Sequence, residues 1–184
     1  MTARIFAMAA HGAVKQVRKH TGEPYHNHPQ RVRAILEQYV KWATPAMLDA
    51  ADLHDVMEDT GIEISMIRQL FGTETAHLVA GMSNVKARNA DGTPMYNRAQ
   101  QKMVDAVALK SRCRKVKTIK LADKYDNLTD MIITDPKFAP VYVAEARYLL
   151  DFALKEGDEV LWAMVNRVIA AYYADNPQHL PKAA

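Results

Sequence analysis

Apolar residues recur along this chain mostly every three or four positions, which is the period of an α-helix. After Pro29, for example, they form one stripe that consists of Val32, Ile35, Leu36, Tyr39 and Val40. No cluster of Val, Ile or Thr alternates with polar residues for long enough to indicate a β-strand. The pattern therefore predicts an all-α fold, arranged as a compact multi-helix bundle.

Capping residues, glycines and prolines predict where these helices begin and end. Thr44-Pro45 is typical of a helix start, with Thr44 as the N-cap, and Gly61 is typical of a helix end. Residues 83–94 are expected to form a flexible loop, and residues 176–184 a frayed tail. The other helices are predicted at about 3–19, after Pro29, and at about 64–71, 73–82, 97–109, 112–132, 140–155 and 159–173.

Length and composition predict one globular domain that spans residues 1–184. Of the 184 residues 49% are apolar, which is enough for a hydrophobic core. The chain has no run of 18 apolar residues and no N-terminal secretory signal, so we expect a cytoplasmic protein without a membrane partner. Its one cysteine, Cys113, excludes an intramolecular disulfide, so a metal site would use histidine and carboxylate ligands.

Positive charge is concentrated in one short segment, although the net charge of the chain is only +3. This segment contains six basic side chains: Lys110, Arg112, Arg114, Lys115, Lys117 and Lys120. Such a cluster can attract phosphates or nucleic acid, but a solvated helix face is the more common explanation. A non-catalytic protein that binds nucleic acid is therefore one alternative at this point.

The densest group of ionisable residues lies near the end of the helix predicted at 45–61. Four side chains share one quadrant of that helix: His54, Asp55, Glu58 and Asp59. Apolar residues one and two turns earlier lie on the same arc, which indicates that the quadrant faces the protein interior. Burial of these groups without compensation would cost several kcal/mol, and a bound cation would offset that cost.

Two residues elsewhere in the chain could complete a metal site with His54 and Asp55. His28 precedes Pro29 at a predicted helix start, and Asp123 lies on the inward-facing stripe of another predicted helix. Mixed histidine and carboxylate ligands suit Mn²⁺, Fe²⁺, Co²⁺ or Zn²⁺, whereas Mg²⁺ and Ca²⁺ prefer oxygen alone. Either residue alone is more often structural or solvated, so the hypothesis depends on their combination.

Three sequence blocks that include these residues resemble one protein family. They are 18–29 (RKHTGEPYHNHP), 53–60 (LHDVMEDT) and 119–127 (IKLADKYDN). Together and in this order they resemble the HD-domain phosphohydrolases and, within them, the hydrolase domain of the RelA/SpoT alarmone enzymes. The C-terminal third matches mainly as helical core. The resemblance implies an HD-domain helical bundle and a free-standing alarmone hydrolase of the small, Mesh1-like type.

The resemblance also implies a role for each matching residue. The metal ligands would be His28, His54, Asp55 and Asp123, and the cofactor would be one divalent metal ion, expected to be Mn²⁺. Glu58 and Asp59 would position and deprotonate the attacking water. The nucleotide would be bound by Arg18, Lys19 and Asn127, with Lys86 as a further candidate for a phosphate contact.

The implied reaction removes pyrophosphate from the 3′ position of a purine nucleotide alarmone. Hydrolysis of (p)ppGpp or (p)ppApp would give a nucleoside 5′-di- or triphosphate and pyrophosphate, so the expected partner is a small-molecule nucleotide and not nucleic acid. An HD phosphohydrolase for another nucleotide, such as a 5′-nucleotidase, is the alternative, and it would not need Arg18-Lys19, Glu58-Asp59 and Asn127 together. The sequence leaves open the preferred base, the metal, which of the two carboxylates is the general base, homo-oligomer formation and any toxin-neutralising role.

The chain departs from this family at a few positions near the motifs. Before Arg18-Lys19, where relatives tend to have a histidine and a glycine, it has Ala13, Val14, Lys15 and Gln16 in succession. Arg33 stands in place of a small residue, and Asp52 in place of an apolar one. None of these is a proposed ligand, but Lys15 and Arg33 are expected to alter the wall of the nucleotide pocket.

Overall fold

The all-α prediction is confirmed by the computed structural model, which describes residues 1–84, 87–89 and 91–180. Within these ranges β-structure is limited to two isolated bridges, Val17 with Pro24 and Arg88 with Pro94. None of the helices found there combines the length and hydropathy needed to cross a bilayer. The α-helices are α1 (Ala3–Ala13), α2 (Asn27–Tyr39), α3 (Pro45–Leu53), α4 (Val56–Thr60), α5 (Ile64–Met82), α6 (Arg98–Lys110), α7 (Arg114–Thr134), α8 (Ala139–Phe152) and α9 (Glu159–Asp175).

Helix α7 lies at the centre of the bundle and determines where the core forms. It packs against α2, α3 and α5 as well as against α8 and α9. Its buried apolar residues include Val116, Ile119 and Leu121. Because α7 has neighbours on several sides, Asp123 and Asp126 on the same helix are also carried into the interior.

The helix predicted at 45–61 is divided into α3 and α4, so the prediction of one continuous helix is wrong at residues 54 and 55. The His54 ring hydrogen-bonds through Nδ1 to the Ala51 carbonyl oxygen at 2.8 Å. In a continuous helix that carbonyl would accept from the backbone N–H of Asp55, so the side chain competes with the helix. Both predicted ends are confirmed: Thr44 accepts from the Met47 N–H, and Gly61 closes α4 with φ 73°.

The first helix ends at Ala13, so the prediction that it continues to residue 19 is wrong. Lys15 follows in a left-handed conformation with φ 52°, which an α-helix does not contain. Arg18 therefore lies on an irregular segment, where its N–H donates to the Glu23 carbonyl at 2.8 Å. Arg18 and Lys19 are therefore not at the C-terminal end of a helix, where cations commonly do no more than offset the helix dipole.

The helix predicted after Pro29 is α2, which begins two residues earlier at Asn27, and the remaining predicted helices correspond closely to α5–α9. The break predicted between residues 71 and 73 occurs inside α5, where Gly72 adopts φ 87°. Residues 177–179 form a 3₁₀ turn, and the Tyr172 hydroxyl lies 2.9 Å from His179 Nδ1, so this part of the tail is attached to α9. Residues 85, 86, 90 and 181–184 lie outside the described residues, and Lys86 is among them.

Two of the departures from the family pattern contact each other. The Arg33 guanidinium on α2 donates to Asp52 Oδ2 on α3 at 2.8 Å. Asp52 is buried, and burial raises the pKa of its carboxyl, whereas the contact with Arg33 opposes that change. Arg33 thus compensates a carboxylate in the interface between two helices, which explains why an acidic residue is tolerated at a position expected to be apolar.

Candidate metal centre

The four predicted metal ligands lie together, although they come from three separate segments of the chain. One ligand atom each of His28, His54 and Asp55 lies within 4.8 Å of the others. Asp123 Oδ1 lies 3.2 Å from His28 Nε2 and 3.8 Å from His54 Nε2. The packing of α2 and α3 against α7 therefore brings two imidazoles and two carboxylates to one point.

His54 directs an unsatisfied nitrogen into this cluster. Because its Nδ1 donates to the Ala51 carbonyl, Nε2 is the atom left for a ligand. Nε2 is buried and makes no hydrogen bond that meets the usual geometric criteria among the described residues, and the nearby Asp55 Oδ2 lies 3.0 Å away. A buried ring nitrogen in this position fits coordination of a cation.

The Asp126 carboxylate, which is not one of the predicted ligands, orients His28. His28 Nδ1 donates to Asp126 Oδ2 at 2.6 Å, which leaves Nε2 toward the cluster. Asp126 in turn accepts from Arg31 Nε at 2.7 Å. Burial raises the pKa of Asp126, but the hydrogen bonds from His28 and Arg31 outweigh burial and lower it. Asp126 therefore stays ionised and fixes the imidazole in the orientation that a metal ligand requires.

The two ligating carboxylates are also oriented by neighbours. The Tyr25 hydroxyl donates to Asp55 Oδ2 at 2.6 Å, and Asn127 Nδ2 donates to Asp123 Oδ1 at 2.5 Å. Lys120 Nζ lies 2.9 Å from Asp123 Oδ2. Burial raises the pKa of Asp123, but the Lys120 charge and the His28 hydrogen bond lower it well below its usual range. Burial also raises the pKa of Asp55, but the His54 and His28 charges lower it, so both carboxylates are ionised and held in place.

The Asp55 and Asp123 carboxylates give the cluster a negative charge that a bound cation would neutralise. Burial lowers the pKa of His54, but the Asp55 and Asp123 carboxylates outweigh burial and raise that pKa to about 9. The protein alone thus favours a proton on His54, which adds positive charge to that of Lys120 when no metal is bound. The donor set of two imidazole nitrogens and two carboxylate oxygens fits a divalent ion of the first transition series.

The predicted acidic pair lies on α4, one turn beyond Asp55. Glu58 accepts from the backbone N–H of Asn84 at 2.8 Å and from its side-chain amide at 3.3 Å, so the segment that follows α5 holds it. Asp59 Oδ2 accepts from Gln16 Nε2 at 2.9 Å. Partial burial raises the pKa of Asp59, and the Asp55 and Glu58 charges raise it further, whereas the Gln16 hydrogen bond opposes them.

Two of the three predicted nucleotide-binding residues contact each other beside the ligands. Arg18 donates to Asn127 Oδ1 at 3.0 Å and to Asp130 Oδ2 at 2.5 Å. Since Asn127 also contacts Asp123, the Arg18 guanidinium is linked to the ligand cluster through one amide. Lys19 is exposed, and within the described residues no hydrogen bond or ion pair connects it to the cluster.

A cavity of about 430 Å³ opens between α6, α7 and α8 next to the ligands. Lys120, which pairs with Asp123, forms part of its wall together with Lys102 and Lys124. Burial lowers the pKa of Lys102 and of Lys124, and each is lowered further by neighbouring lysines. Tyr142 and Tyr148 supply aromatic surface in the same cavity. The wall also contains Asp105 and Glu145, so the three lysines leave it with a net positive charge, which together with the aromatic rings suits an anionic ligand with a planar base.

Four residues of this site were not predicted: Gln16, Tyr25, Lys120 and Asp126. Tyr25, Lys120 and Asp126 lie inside the blocks that carry the family resemblance, but no role followed for them from the sequence. Asp126 comes three residues after Asp123 on one helix, and that spacing places both on one face. This spacing could have identified Asp126, whereas nothing in the sequence relates Gln16 to Asp59.

Comparison with known proteins agrees with this geometry. A family model described as HD domain matches residues 3–146, which is most of the chain. The chain belongs to the HD domain family. The matched residues include His28 on α2, the His54-Asp55 pair at the junction of α3 and α4, and Asp123 on α7.

Relatives of this HD domain include named alarmone hydrolases. It is 37% identical over 123 residues to a probable guanosine-3′,5′-bis(diphosphate) 3′-pyrophosphohydrolase of Synechocystis sp.. It is 36% identical over 113 residues to the guanosine-3′,5′-bis(diphosphate) 3′-pyrophosphohydrolase MESH1 of Drosophila melanogaster. These alignments cover 66% and 61% of this chain but span only 16% and 59% of the relatives.

One solved structure extends the similarity over nearly the whole HD domain. It is described as a metazoan ortholog of SpoT that hydrolyzes ppGpp and plays a role in starvation responses. The two structures superpose with a TM-score of 0.80 at 26% sequence identity. The match covers 92% of this chain and 93% of the other, so the similarity includes α8 and α9.

Proposed function

We propose that this chain is a metal-dependent 3′-pyrophosphohydrolase of nucleotide alarmones. It would convert (p)ppGpp or (p)ppApp and water into a nucleoside 5′-di- or triphosphate and pyrophosphate. The observation that carries the proposal is the convergence of His28, His54, Asp55 and Asp123, with a buried unsatisfied ring nitrogen, beside an acidic pair. The named activity of the Synechocystis and Drosophila relatives supports the same reaction.

The four clustered residues would hold one divalent ion, which we propose to be Mn²⁺. When bound, the ion supplies positive charge for the phosphate and lowers the pKa of water. His28 and His54 each present Nε2 because their Nδ1 atoms are engaged elsewhere. Tyr25, Asn127 and Lys120 hold the two carboxylates, so the ligands are fixed before an ion arrives.

Glu58 and Asp59 would position the attacking water and accept its proton. Water adds to the phosphorus bonded to the 3′-oxygen, the bond between that phosphorus and the 3′-oxygen breaks, and the 3′-oxygen gains a proton as pyrophosphate leaves. The raised pKa of Asp59 moves this carboxyl toward the neutral range, where a general base is most effective. Glu58 is held by Asn84 and suits the orienting role.

Arg18, Lys19 and Asn127 would bind the nucleotide. The Arg18 guanidinium is held by Asn127 and Asp130, and a guanidinium fixed in this way can stack on a purine or contact a phosphate. The basic cavity beside Lys120 offers space for the rest of an anionic nucleotide. We further propose that residues 1–184 act as one hydrolase domain, in the cytoplasm, on a small-molecule substrate.

The basic cluster at 110–120 does not favour the nucleic-acid alternative, because its members point in different directions. Lys117 is buried and pairs with Glu156, Lys115 pairs with Glu74, and Arg114 stacks over Trp42. Lys110 lies 4.3 Å from the centre of the Phe152 ring, and Lys120 pairs with Asp123. A continuous basic face, as phosphate backbones require, is not formed by these five side chains.

One assay tests the proposed reaction. Purified protein is incubated with Mn²⁺ and either ppGpp or pppApp, with and without a chelator, and the products are separated by anion exchange. We expect pyrophosphate and a 5′-di- or triphosphate, with no turnover in chelator. Orthophosphate as the product would instead indicate another type of nucleotidase. His54→Asn should abolish turnover, and His77→Asn at an exposed position on α5 is the matched control.

A further inference from the structure

We propose that Gln16 is a positioning residue that aims the Asp59 carboxylate, and that His11 sets the direction of the Gln16 amide. The inference rests on the proposed function, because it assumes that Asp59 acts on the attacking water. Neither residue belongs to the predicted ligands, the acidic pair or the nucleotide contacts. Gln16 lies in the part of the chain that departs from the family pattern before Arg18, and His11 lies in the last turn of α1.

The hydrogen bonds form a directed chain from α1 to α4. Gln16 Nε2 donates to Asp59 Oδ2 at 2.9 Å, and Gln16 Oε1 lies 2.6 Å from His11 Nδ1. An ionised carboxylate can only accept, so the NH₂ group of Gln16 must point to Asp59 and its oxygen must point to His11. His11 Nδ1 is therefore the donor, which fixes the amide in one of its two orientations.

The state of His11 is consistent with this direction. Its side chain is buried, and burial lowers the pKa of the imidazole, so the ring is neutral with its proton on Nδ1. Nε2 of the same ring is buried without a hydrogen-bond partner among the described residues. The ring also packs against Tyr25, with 5.0 Å between ring centres, and Tyr25 donates to Asp55. His11 Nε2 therefore makes no hydrogen bond, whereas Nδ1 makes the one that orients Gln16.

The backbone places Gln16 where it can reach α4. Its N–H donates to the His11 carbonyl at 3.0 Å, and its carbonyl accepts from Tyr25 N–H at 3.1 Å. Lys15, just before it, has a φ of 52°, a conformation that costs a residue with a Cβ about 1–2 kcal/mol. Strain of this kind persists where the surrounding structure requires it. Here it turns the chain so that the Gln16 side chain leaves α1 and approaches Asp59.

The physical effect is to restrict the rotation of an exposed carboxylate. Asp59 is exposed, and the titratable groups that face it are the carboxylates of Asp55 and Glu58 and the neutral His11 ring. Repulsion from the other carboxylates would turn Asp59 toward solvent. The Gln16 hydrogen bond holds Oδ2 and leaves Oδ1 for the water, so the angle of attack is set by the amide.

A double-mutant cycle tests this role. We expect Gln16→Leu to lower kcat about tenfold, the value of one hydrogen bond to a charged group, with KM and Mn²⁺ affinity unchanged. In an Asp59→Asn background the same substitution should cause no further fall, because the group that it positions is already inactive. His11→Phe keeps the ring beside Tyr25 but lets the amide turn, so kcat should fall by only about twofold. Gln38→Leu, on the exposed face of α2, is the matched control.

A measurement without turnover tests the contact itself. The side-chain amide signals of Gln16, assigned by NMR in ¹⁵N-labelled protein, should shift in Asp59→Asn and keep their position in the exposed variant Glu159→Gln. Unchanged amide signals in Asp59→Asn would overturn the inference, as would equal losses of kcat from Gln16→Leu in both backgrounds. A third result would separate the two proposals. If the amide signals respond but neither alarmone releases pyrophosphate, the Gln16–Asp59 hydrogen bond is real, whereas the proposed function and the catalytic role of this bond are both wrong.

Discussion

At the scale of single residues, the centre is arranged so that each ligand has a second partner that fixes its direction. His28 is oriented by Asp126, His54 by a backbone carbonyl, and Asp55 by the Tyr25 hydroxyl. Such partners determine which ring nitrogen or carboxylate oxygen faces the ion, and their loss weakens binding without removing a ligand. Residues outside the ligand set should therefore have measurable effects on metal affinity.

Asp126→Asn tests this idea. The substitution keeps the size of the side chain but places an NH₂ group against either His28 or Arg31, so one of the two hydrogen bonds is lost. We expect the Kd for Mn²⁺, measured by isothermal titration calorimetry, to increase about 10- to 100-fold. Asp130→Asn, one turn further along α7, should leave the Kd for Mn²⁺ unchanged. An unchanged Kd in Asp126→Asn would show that His28 needs no second partner.

Glu58→Gln distinguishes the role of the acidic pair from that of the metal ligands, because it should affect turnover and not metal binding. The variant keeps the size of the side chain and removes its charge, so the fold and the metal content should remain those of the wild-type protein. We expect kcat to fall by about 10²-fold, because the water that Asp59 would deprotonate is no longer held in line with the phosphorus. Metal content is checked by mass spectrometry, and Glu159→Gln on the exposed start of α9 is the control. Turnover near the wild-type value with full metal content would contradict the role of Glu58.

At the scale of helices, the sequence predicted most elements but not the two places where side chains interrupt them. Periodicity located α5–α9, and Gly61 and Gly72 marked real changes of direction, because glycine adopts positive φ without strain. The division between α3 and α4 was missed because it results from a hydrogen bond of the His54 ring to a backbone carbonyl. The spacing of apolar residues gives no indication of such a bond. The end of α1 was missed because a lysine gives no local indication of a left-handed conformation.

The same distinction applies to the candidate site. Its predicted ligands could be found from local sequence: His28 precedes a helix, His54-Asp55 lies on a face expected to be buried, and Asp123 lies on an inward-facing stripe. The structure brings these side chains together. Gln16 and Tyr25 could not be related to the site, since they reach it from the irregular segment between α1 and α2. The positions of such side chains depend on tertiary packing and not on local spacing.

Lys15→Gly tests whether the turn after α1 is strained. Glycine adopts the observed φ of 52° without a Cβ clash, whereas lysine does so at a cost of about 1–2 kcal/mol. The greater flexibility of glycine in the unfolded chain offsets part of this gain. We expect the free energy of unfolding in urea to rise by about 0.5–1 kcal/mol. Lys137→Gly, where φ is not positive, should instead lower it, and a decrease in both variants would exclude strain at Lys15.

At the scale of the whole molecule, the candidate metal centre connects helices that are far apart in the sequence. His28 on α2, the His54-Asp55 junction and Asp123 on α7 meet where these elements pack around the central helix. In the absence of a cation, the Asp123 charge raises the pKa of Asp55, so the two buried carboxylates oppose each other's ionisation. An ion bound there would therefore contribute to folding stability as well as to chemistry, since the unfolded chain cannot present the same four ligands together.

Removal of metal should accordingly lower the Tm of the whole domain. At a Mn²⁺ concentration of about 100 times Kd, binding to the folded state alone adds about 2.7 kcal/mol. For a chain of this length each kcal/mol corresponds to about 2–4 °C, so calorimetry with Mn²⁺ or with a chelator should show a difference of about 5–10 °C. His54→Asn should unfold at the same temperature under both conditions, because the buried Nε2 that faces the ion is gone. His77→Asn should retain the full difference, since its ring is exposed on α5. Equal Tm values for the wild-type protein with Mn²⁺ and with chelator would mean that the four side chains hold no ion, whatever activity the protein has.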